Sequence, residues 1–158
     1  MGKKLDYETV KAKYDALGAE QVGPNKELQR LLTSLGRLSK PVWKKMVSDG
    51  LKRLNDLHPD FAWEEMDTFC GASLFGKRGN LSITFYSYDR VNMAIGYNGW
   101  VSGPVNVRGK NDCGNNCGAG TLLETHGTCS SFEDGIAKVE EKGSKAYGDL
   151  QNALGRDT

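Results

Sequence analysis

The hydrophobic periodicity of the chain changes near residue 60, and this change limits the folds that the chain can adopt. Before it, apolar residues recur every three or four positions, the spacing of an amphipathic helix. After it, apolar and polar residues alternate with a period of two, which is typical of strands with one buried face. Helical spacing returns at about residue 131. This order predicts an α+β fold, with helices and an antiparallel sheet built from separate parts of the chain.

The N-terminal part predicts three helices. Asp6 is a suitable N-cap for the first helix, and the second is expected to begin near Asn25. Ser39 resembles the N-cap of a third helix, because Pro41 would then fall in the first turn, where its missing N–H has no intrahelical partner. The third helix is expected to end at His58, which precedes a proline.

The middle of the chain predicts a three- to four-stranded antiparallel sheet. Strands are expected at 81–86, 91–97, 100–107 and 121–125, and the segment 61–75 could supply another. Asn98-Gly99 is a strong turn signal between two of these runs. Residues 109–120 are rich in glycine and asparagine and predict a loop.

The C-terminal part predicts helices on one face of the sheet. Ser131 and Asp134 resemble a capping box, and Gly143-Ser144 interrupts the helical pattern that follows. We therefore expect a single α+β domain over residues 1–158, with a helical part at 1–58, a β-rich part at 61–129 that contains the Cys/Gly loop 109–120, and helices at 130–155.

Composition excludes several classes of protein. No apolar run approaches the roughly 18 residues that a membrane-spanning helix requires. The first residues also lack the apolar stretch of a secretory signal. We therefore expect a soluble protein that stays in the cytoplasm and does not contact a membrane.

The segment 111–129 contains three of the four cysteines and one of the two histidines. Four of its side chains could supply the ligands of a tetrahedral zinc site: Cys113, Cys117, His126 and Cys129. The same cysteines could form a disulfide, either Cys113 with Cys117 or Cys70 with a loop cysteine, in an oxidising compartment. They could also be free thiols in a glycine-rich loop. The sequence leaves these three alternatives open.

A catalytic interpretation pairs Cys70 as nucleophile with His126 as base, and Glu124 or Asp112 could orient the imidazole. Residue order alone supports this pairing, and no nucleotide-binding glycine motif is present. We therefore favour a protein that is not an enzyme and keep a Cys/His-dependent hydrolase or transferase as an alternative.

The remaining chemistry indicates binding. Residues 25–53 carry eight Lys or Arg side chains against two acids, and an acidic stretch follows them. The preferred hypothesis is an inhibitor or adaptor that docks on a protein partner. Its candidate binding residues belong to the aromatic hairpin and the Cys/Gly loop: Tyr86, Tyr88, Arg90, Tyr97, Trp100, Asn115 and Asn116.

The alternative partner is a nucleic acid. It would contact the basic helices, with the aromatic hairpin as a stacking platform. The candidate phosphate contacts are Arg37, Lys40, Lys44, Lys45, Lys52 and Arg53. The overall pI of about 7.6 argues against this alternative.

Overall fold

The computed structural model describes residues 6–20, 25–68 and 71–156, which form helices on one side of a six-stranded sheet. The helices are α1 (Tyr7–Glu20), α2 (Lys26–Leu57) and α3 (Phe132–Arg156). The strands are β1 (Ala62–Thr68), β2 (Gly71–Arg78), β3 (Leu81–Asp89), β4 (Ala94–Ser102), β5 (Arg108–Asn111) and β6 (Thr121–Cys129). The chain is α+β, but the predicted three N-terminal helices and the predicted three- to four-stranded antiparallel sheet are wrong.

The predicted second and third helices are one continuous helix, α2. Asn25 caps it as expected, because its side-chain oxygen accepts a hydrogen bond from the N–H of Glu27 at 2.8 Å. Ser39 caps nothing; it is fully buried, and its hydroxyl donates to the carbonyl oxygen of Gly36 at 3.2 Å. Pro41 lies inside the helix. The buried stripe of α2 continues on both sides of this proline, so tertiary packing outweighs the local signal for a break.

The strand order in the sheet is β1-β2-β3-β4-β6-β5. All neighbouring strands are antiparallel except β5 and β6, which are parallel. The segment predicted as one uncertain strand, 61–75, contributes to two strands, β1 and β2. The sheet is therefore wider than predicted, and it is mixed.

The predicted turn at Asn98-Gly99 lies in the middle of β4, so the strands expected at 91–97 and 100–107 are one strand, and residues 103–107 belong to the connection that follows it. The turn between β3 and β4 lies at residues 90–93, close to the boundary expected between the first two strands, and Met93 there has a φ of 53°. Gly99 has a packing role instead, because a Cβ atom at this position would lie 2.6 Å from the side chain of Val139 in α3. The turn prediction is wrong because the sequence does not show that a helix lies against this glycine.

The C-terminal helices are also a single helix, α3, which continues through Gly143. Ser131 caps it as predicted: its hydroxyl oxygen accepts a hydrogen bond from the N–H of Asp134 at 3.0 Å. Gly143 does not interrupt the helix, because it is buried where an added Cβ would contact Val101 at 3.6 Å. In the part of the chain described above, no helix has the length and apolar character needed to cross a bilayer.

Helices α2 and α3 pack on the same face of the sheet, and one hydrophobic core is buried between these helices and the sheet. Phe132 of α3 lies edge-on to Trp43 of α2, with ring centroids 6.2 Å apart, and 5.0 Å from the ring of Phe85 in β3. Trp43 also donates its indole N–H to the carbonyl oxygen of Ala72 in β2 at 2.7 Å. Helix α1 packs mainly on α2, with Val10 and Leu35 buried between them. The opposite face of the sheet is left exposed.

Candidate functional site

The exposed face of the sheet, called here the open face, carries side chains in aligned rows. One row crosses five strands in register: Glu64, Phe75, Thr84, Asn98 and His126. A second row crosses all six: Ala62, Lys77, Ser82, Trp100, Glu124 and Asn111. Because successive residues of a strand point to opposite faces, these residues alternate with those of the core. The open face thus combines aromatic rings with hydroxyl, amide and charged groups.

A depression of about 410 Å³ lies at the centre of the open face. Phe75 and Trp100 line it together with the polar side chains of Thr84, Asn98 and His126. Trp100 is 52% exposed, a high value for a side chain of this size on a strand. An aromatic residue beside a polar depression is the arrangement found at many protein-binding hot spots.

The residues predicted for binding separate into different places. Trp100 and Tyr86 lie on the open face, and Tyr86 packs over Gly96. Tyr88 is 63% exposed at the end of β3. Tyr97 lies on the helix-covered face and is 3% exposed, so it belongs to the core and not to a binding surface. Arg90 lines a different depression, beside α2.

The Cys/Gly loop is held by its own hydrogen bonds. The side-chain oxygen of Asn111 accepts from the N–H groups of Cys113 and Asn115, each at 3.0 Å. Lys110 donates to the side-chain oxygen of Asn116 at 2.6 Å, and the two residues also form a β-bridge. Residues 109–111 of the predicted loop are thus part of β5, and the rest of the loop runs back along the outer edge of that strand and covers it. Asn115 and Asn116 remain exposed at its surface.

The glycines of this region allow two connections of the chain to cross. Gly120, which has a φ of 84°, donates its N–H to the carbonyl oxygen of Val107 at 2.8 Å and accepts a hydrogen bond from Gly103 at 2.9 Å. The connection from β4 to β5 must pass this point because β6 lies between those strands. At Gly109, an added Cβ would lie 1.6 Å from the carbonyl oxygen of Leu122. Glycine is needed here for the close approach of two backbones.

Asp112 fastens the loop to the sheet and to α3. Its carboxylate accepts hydrogen bonds from the hydroxyl of Thr125 at 2.8 Å, from the N–H of His126 at 2.9 Å and from the ammonium of Lys142 at 3.2 Å. Lys142 also donates to the hydroxyl oxygen of Thr125 at 2.8 Å. Partial burial raises the pKa of Asp112, but the hydrogen bonds from His126, Thr125 and Lys142 outweigh it, so the pKa lies below its usual range. The sequence predicts Asp112 only as an alternative to Glu124 for orienting the imidazole of His126, and not as this anchor.

The four predicted zinc ligands do not meet. Cys113 is exposed, whereas Cys117 is buried at the outer edge of the sheet and Cys129 is buried in the core. His126 and Cys129 are three residues apart on one strand, an odd spacing that places them on opposite faces. Among residues 6–20, 25–68 and 71–156, no three His, Cys, Asp or Glu side chains are grouped so that they could hold a metal ion. Cys113, Cys117 and Cys129 are free thiols, and Cys70 lies outside the described residues.

His126 lies on the open face next to Asp112, with 3.8 Å between its Nδ1 atom and a carboxylate oxygen. Its side chain is 69% exposed. In the described part of the chain, no cysteine thiol forms a hydrogen bond with this imidazole. The proposed nucleophile, Cys70, is not described, so the structure brings together only the histidine and a carboxylate.

The basic residues predicted to contact nucleic acid all lie on exposed positions of α2. Arg53 forms an ion pair with Glu133 at the start of α3. Lys40 and Lys44 line the depression beside α2 that also contains Arg90. Since α2 covers the other face of the sheet, these cations and Trp100 lie on opposite sides of the molecule.

The sequence did not identify Phe75, Thr84 and Asn98 as neighbours in one depression. Alternation along β3 places Thr84 opposite the core, and this signal was available. The register between β2, β3 and β4 was not available, because Asn98 was assigned to a turn. Only the strand pairing aligns the three side chains.

Comparison with models of known protein families, with curated proteins and with solved structures finds no significant match to this chain.

Proposed function

We propose that this protein is a non-enzymatic binding protein that docks on a protein partner through the open face of its sheet. The observation that carries the proposal is Trp100, which is half exposed on a strand beside a depression lined by Phe75, Thr84 and Asn98. A tryptophan next to a pocket is among the commonest anchors of protein interfaces.

The dimensions of the open face support a protein partner. Neighbouring strands lie about 4.8 Å apart and residues rise by about 3.3 Å, so the face measures roughly 25 by 25 Å. A standard protein interface buries about 800 Å² on each partner, which is the same order of area. The composition also agrees, because aromatic residues at the centre and hydroxyl, amide and charged groups around them are typical of non-obligate interfaces.

The Cys/Gly loop borders this surface at its outer edge, along β5. Asp112 holds the loop against Thr125 and His126, so Asn115 and Asn116 are presented from an ordered turn. An ordered loop loses less conformational freedom on binding than a mobile one. This supports its inclusion in the proposed docking surface.

A nucleic-acid partner is less well supported. Binding to a single strand needs cations and stacking rings on one continuous surface. Here Lys44 and Lys45 lie on α2, whereas Trp100 lies on the other side of the sheet. A hydrolase is also less well supported, because the described residues supply His126 with a carboxylate neighbour and with no thiol.

The test is site-specific photo-crosslinking in a lysate of the native host. A benzophenone side chain placed at Thr84, in the open face, is expected to capture a protein partner, whereas the same group at Lys45 on α2 is not. Trp100→Ala should reduce the capture from Thr84 at least tenfold, and Leu57→Ala, which changes an equally exposed apolar residue outside the face, should leave it unchanged. The proposal would be contradicted by equal capture from both positions or by capture that Trp100→Ala does not reduce. Capture of nucleic acid instead of protein would also contradict it.

A further inference from the structure

An apolar groove lies between the second half of α3 and the edge strand β5, on the helix-covered side of the molecule. Its volume is about 450 Å³. The apolar part of its lining comes from both walls: Val107, Leu122, Leu123, Ala146, Leu150 and Ala153. Along α3 the lining extends from Lys142 to Ala153, a distance of about 17 Å at the rise of an α-helix.

Cations surround this apolar lining. Arg108 and Lys110 lie on the β5 side, and Lys142 and Lys145 lie on α3. Lys110 is bonded to Asn116, and Lys142 is bonded to Asp112 and Thr125. Among the ion pairs of the described residues, none involves Arg108 or Lys145.

The acids of the groove do not balance these four cations. Asp112 and Asp149 are its two carboxylates. Asp112 is already occupied by Thr125, His126 and Lys142. The groove thus combines an apolar interior with excess positive charge at the rim, which is complementary to a ligand that has an apolar chain and an anionic head group.

The size of the groove favours a small molecule over a macromolecule. Sites for small ligands have volumes of about 300–1,000 Å³, and this groove falls within that range. A protein partner would need about 800 Å² of surface, far more than a groove about 17 Å long provides.

We propose that this groove binds a single-chain alkyl carboxylate of about ten to twelve carbons, with the chain along α3 and the carboxylate between Arg108 and Lys145. The methylenes that leave water supply most of the affinity, and the cations fix the direction of the chain. The site lies on the other side of the sheet from the open face and does not depend on the protein-docking function proposed above.

The test is isothermal titration calorimetry of the full chain with dodecanoate, below the concentration at which the ligand forms micelles. We expect saturable binding of one equivalent. Dodecyltrimethylammonium, which has the same chain and the opposite charge, should bind at least tenfold more weakly. Dodecyl phosphate distinguishes the head groups; binding more than tenfold tighter than that of dodecanoate would overturn the assignment of a carboxylate.

Two groove variants and one control variant test where the ligand binds. Arg108→Gln combined with Lys145→Gln should weaken dodecanoate binding at least tenfold, whereas Lys44→Gln combined with Lys45→Gln, which removes two cations from α2, should not change it. Ala153→Phe, which fills one end of the groove, should also weaken binding without altering charge. Both positions of the first pair are exposed, so the variants are expected to fold. The proposal would be overturned by absent binding or by equal binding of the cationic detergent. It would also be overturned if binding persisted both in the Arg108→Gln, Lys145→Gln double variant and in Ala153→Phe.

Discussion

The hydroxyl of Thr125 donates to the carboxylate of Asp112 at 2.8 Å and joins the first part of the Cys/Gly loop to the middle of β6. Thr125 is 1% exposed, whereas the side chain of Asp112 is 27% exposed. The loop is therefore anchored by a polar contact that reaches from the surface to a fully buried group.

Asp112→Asn should destabilise the protein, and the loss should depend on pH. The folded protein holds the pKa of Asp112 below the value of 3.8 that an unperturbed carboxyl has, so the ionised form stabilises the fold. This contribution is present above about pH 4 and is lost as the pH falls through the lowered folded-state pKa. Urea unfolding should show a loss of about 1–3 kcal/mol at pH 7 and a smaller difference at pH 2.5. Asp67→Asn, in an exposed acid of β1, is the control. An equal difference at both pH values would argue against this role.

The cysteines should differ sharply in reactivity. Cys113 is exposed, whereas burial raises the pKa of Cys117 and raises the pKa of Cys129 to about 11. Because the thiolate is the reactive form, alkylation of the native protein at pH 8 should label Cys113 first and leave Cys117 and Cys129 unlabelled until urea is added. Peptide mapping by mass spectrometry measures this order. His126→Ala should not change the rate of alkylation of Cys113. A large decrease in this rate would indicate that a cysteine and His126 interact as a pair.

Two glycines of α2 should respond to alanine in opposite ways. A Cβ at Gly50 would lie 2.4 Å from the ring of Phe132, whereas a Cβ at Gly36 meets nothing within 4 Å. Gly36→Ala should stabilise the protein by about 0.5–1 kcal/mol, because alanine favours the helix. Gly50→Ala should destabilise it by about 1–3 kcal/mol, because the aromatic packing of the core must shift. Thermal unfolding of both variants decides between these effects, and the same sign for both would show that helix propensity alone controls this helix.

Pro41→Ala should stabilise the protein. Pro41 is exposed and lies inside α2, where it supplies no N–H for the helical hydrogen-bond ladder. Alanine restores this hydrogen bond, and we expect a gain of about 1–2 kcal/mol after allowing for the greater freedom of the unfolded chain. Pro104→Ala, in the connection between β4 and β5, is the control and should bring no gain. A decrease in the unfolding temperature of Pro41→Ala would mean that the packing of α2 depends on the proline.

The sequence predicted those features that depend on neighbours along the chain. The caps at Asp6, Asn25 and Ser131 form as expected, since a side chain meets an N–H only two or three residues away. The same local signals misled at Ser39 and at Gly99. Ser39 is buried in a continuous helix. Gly99 lies against Val139 of α3, a residue forty positions further along the chain.

The candidate site was predictable only in part. Trp100 was identified as a binding residue and lies on the open face, but Tyr97 has the same aromatic character and lies in the core. Which of the two is exposed depends on the position of the helices, which alternation alone does not give. The apolar groove could not be predicted, because it needs the parallel pairing of β5 with β6 and the continuity of α3.

The position of β6 has a consequence for the order in which a new chain can fold. Of the six strands described, this one is synthesised last, yet it lies between β4 and β5 in the sheet. Until residues 121–129 emerge, β4 has an unpaired edge, and β5 has no strand to pair with. We expect the sheet to be completed only after β6 has emerged, and until then the edge of β4 is the place where the growing chain is most exposed to aggregation.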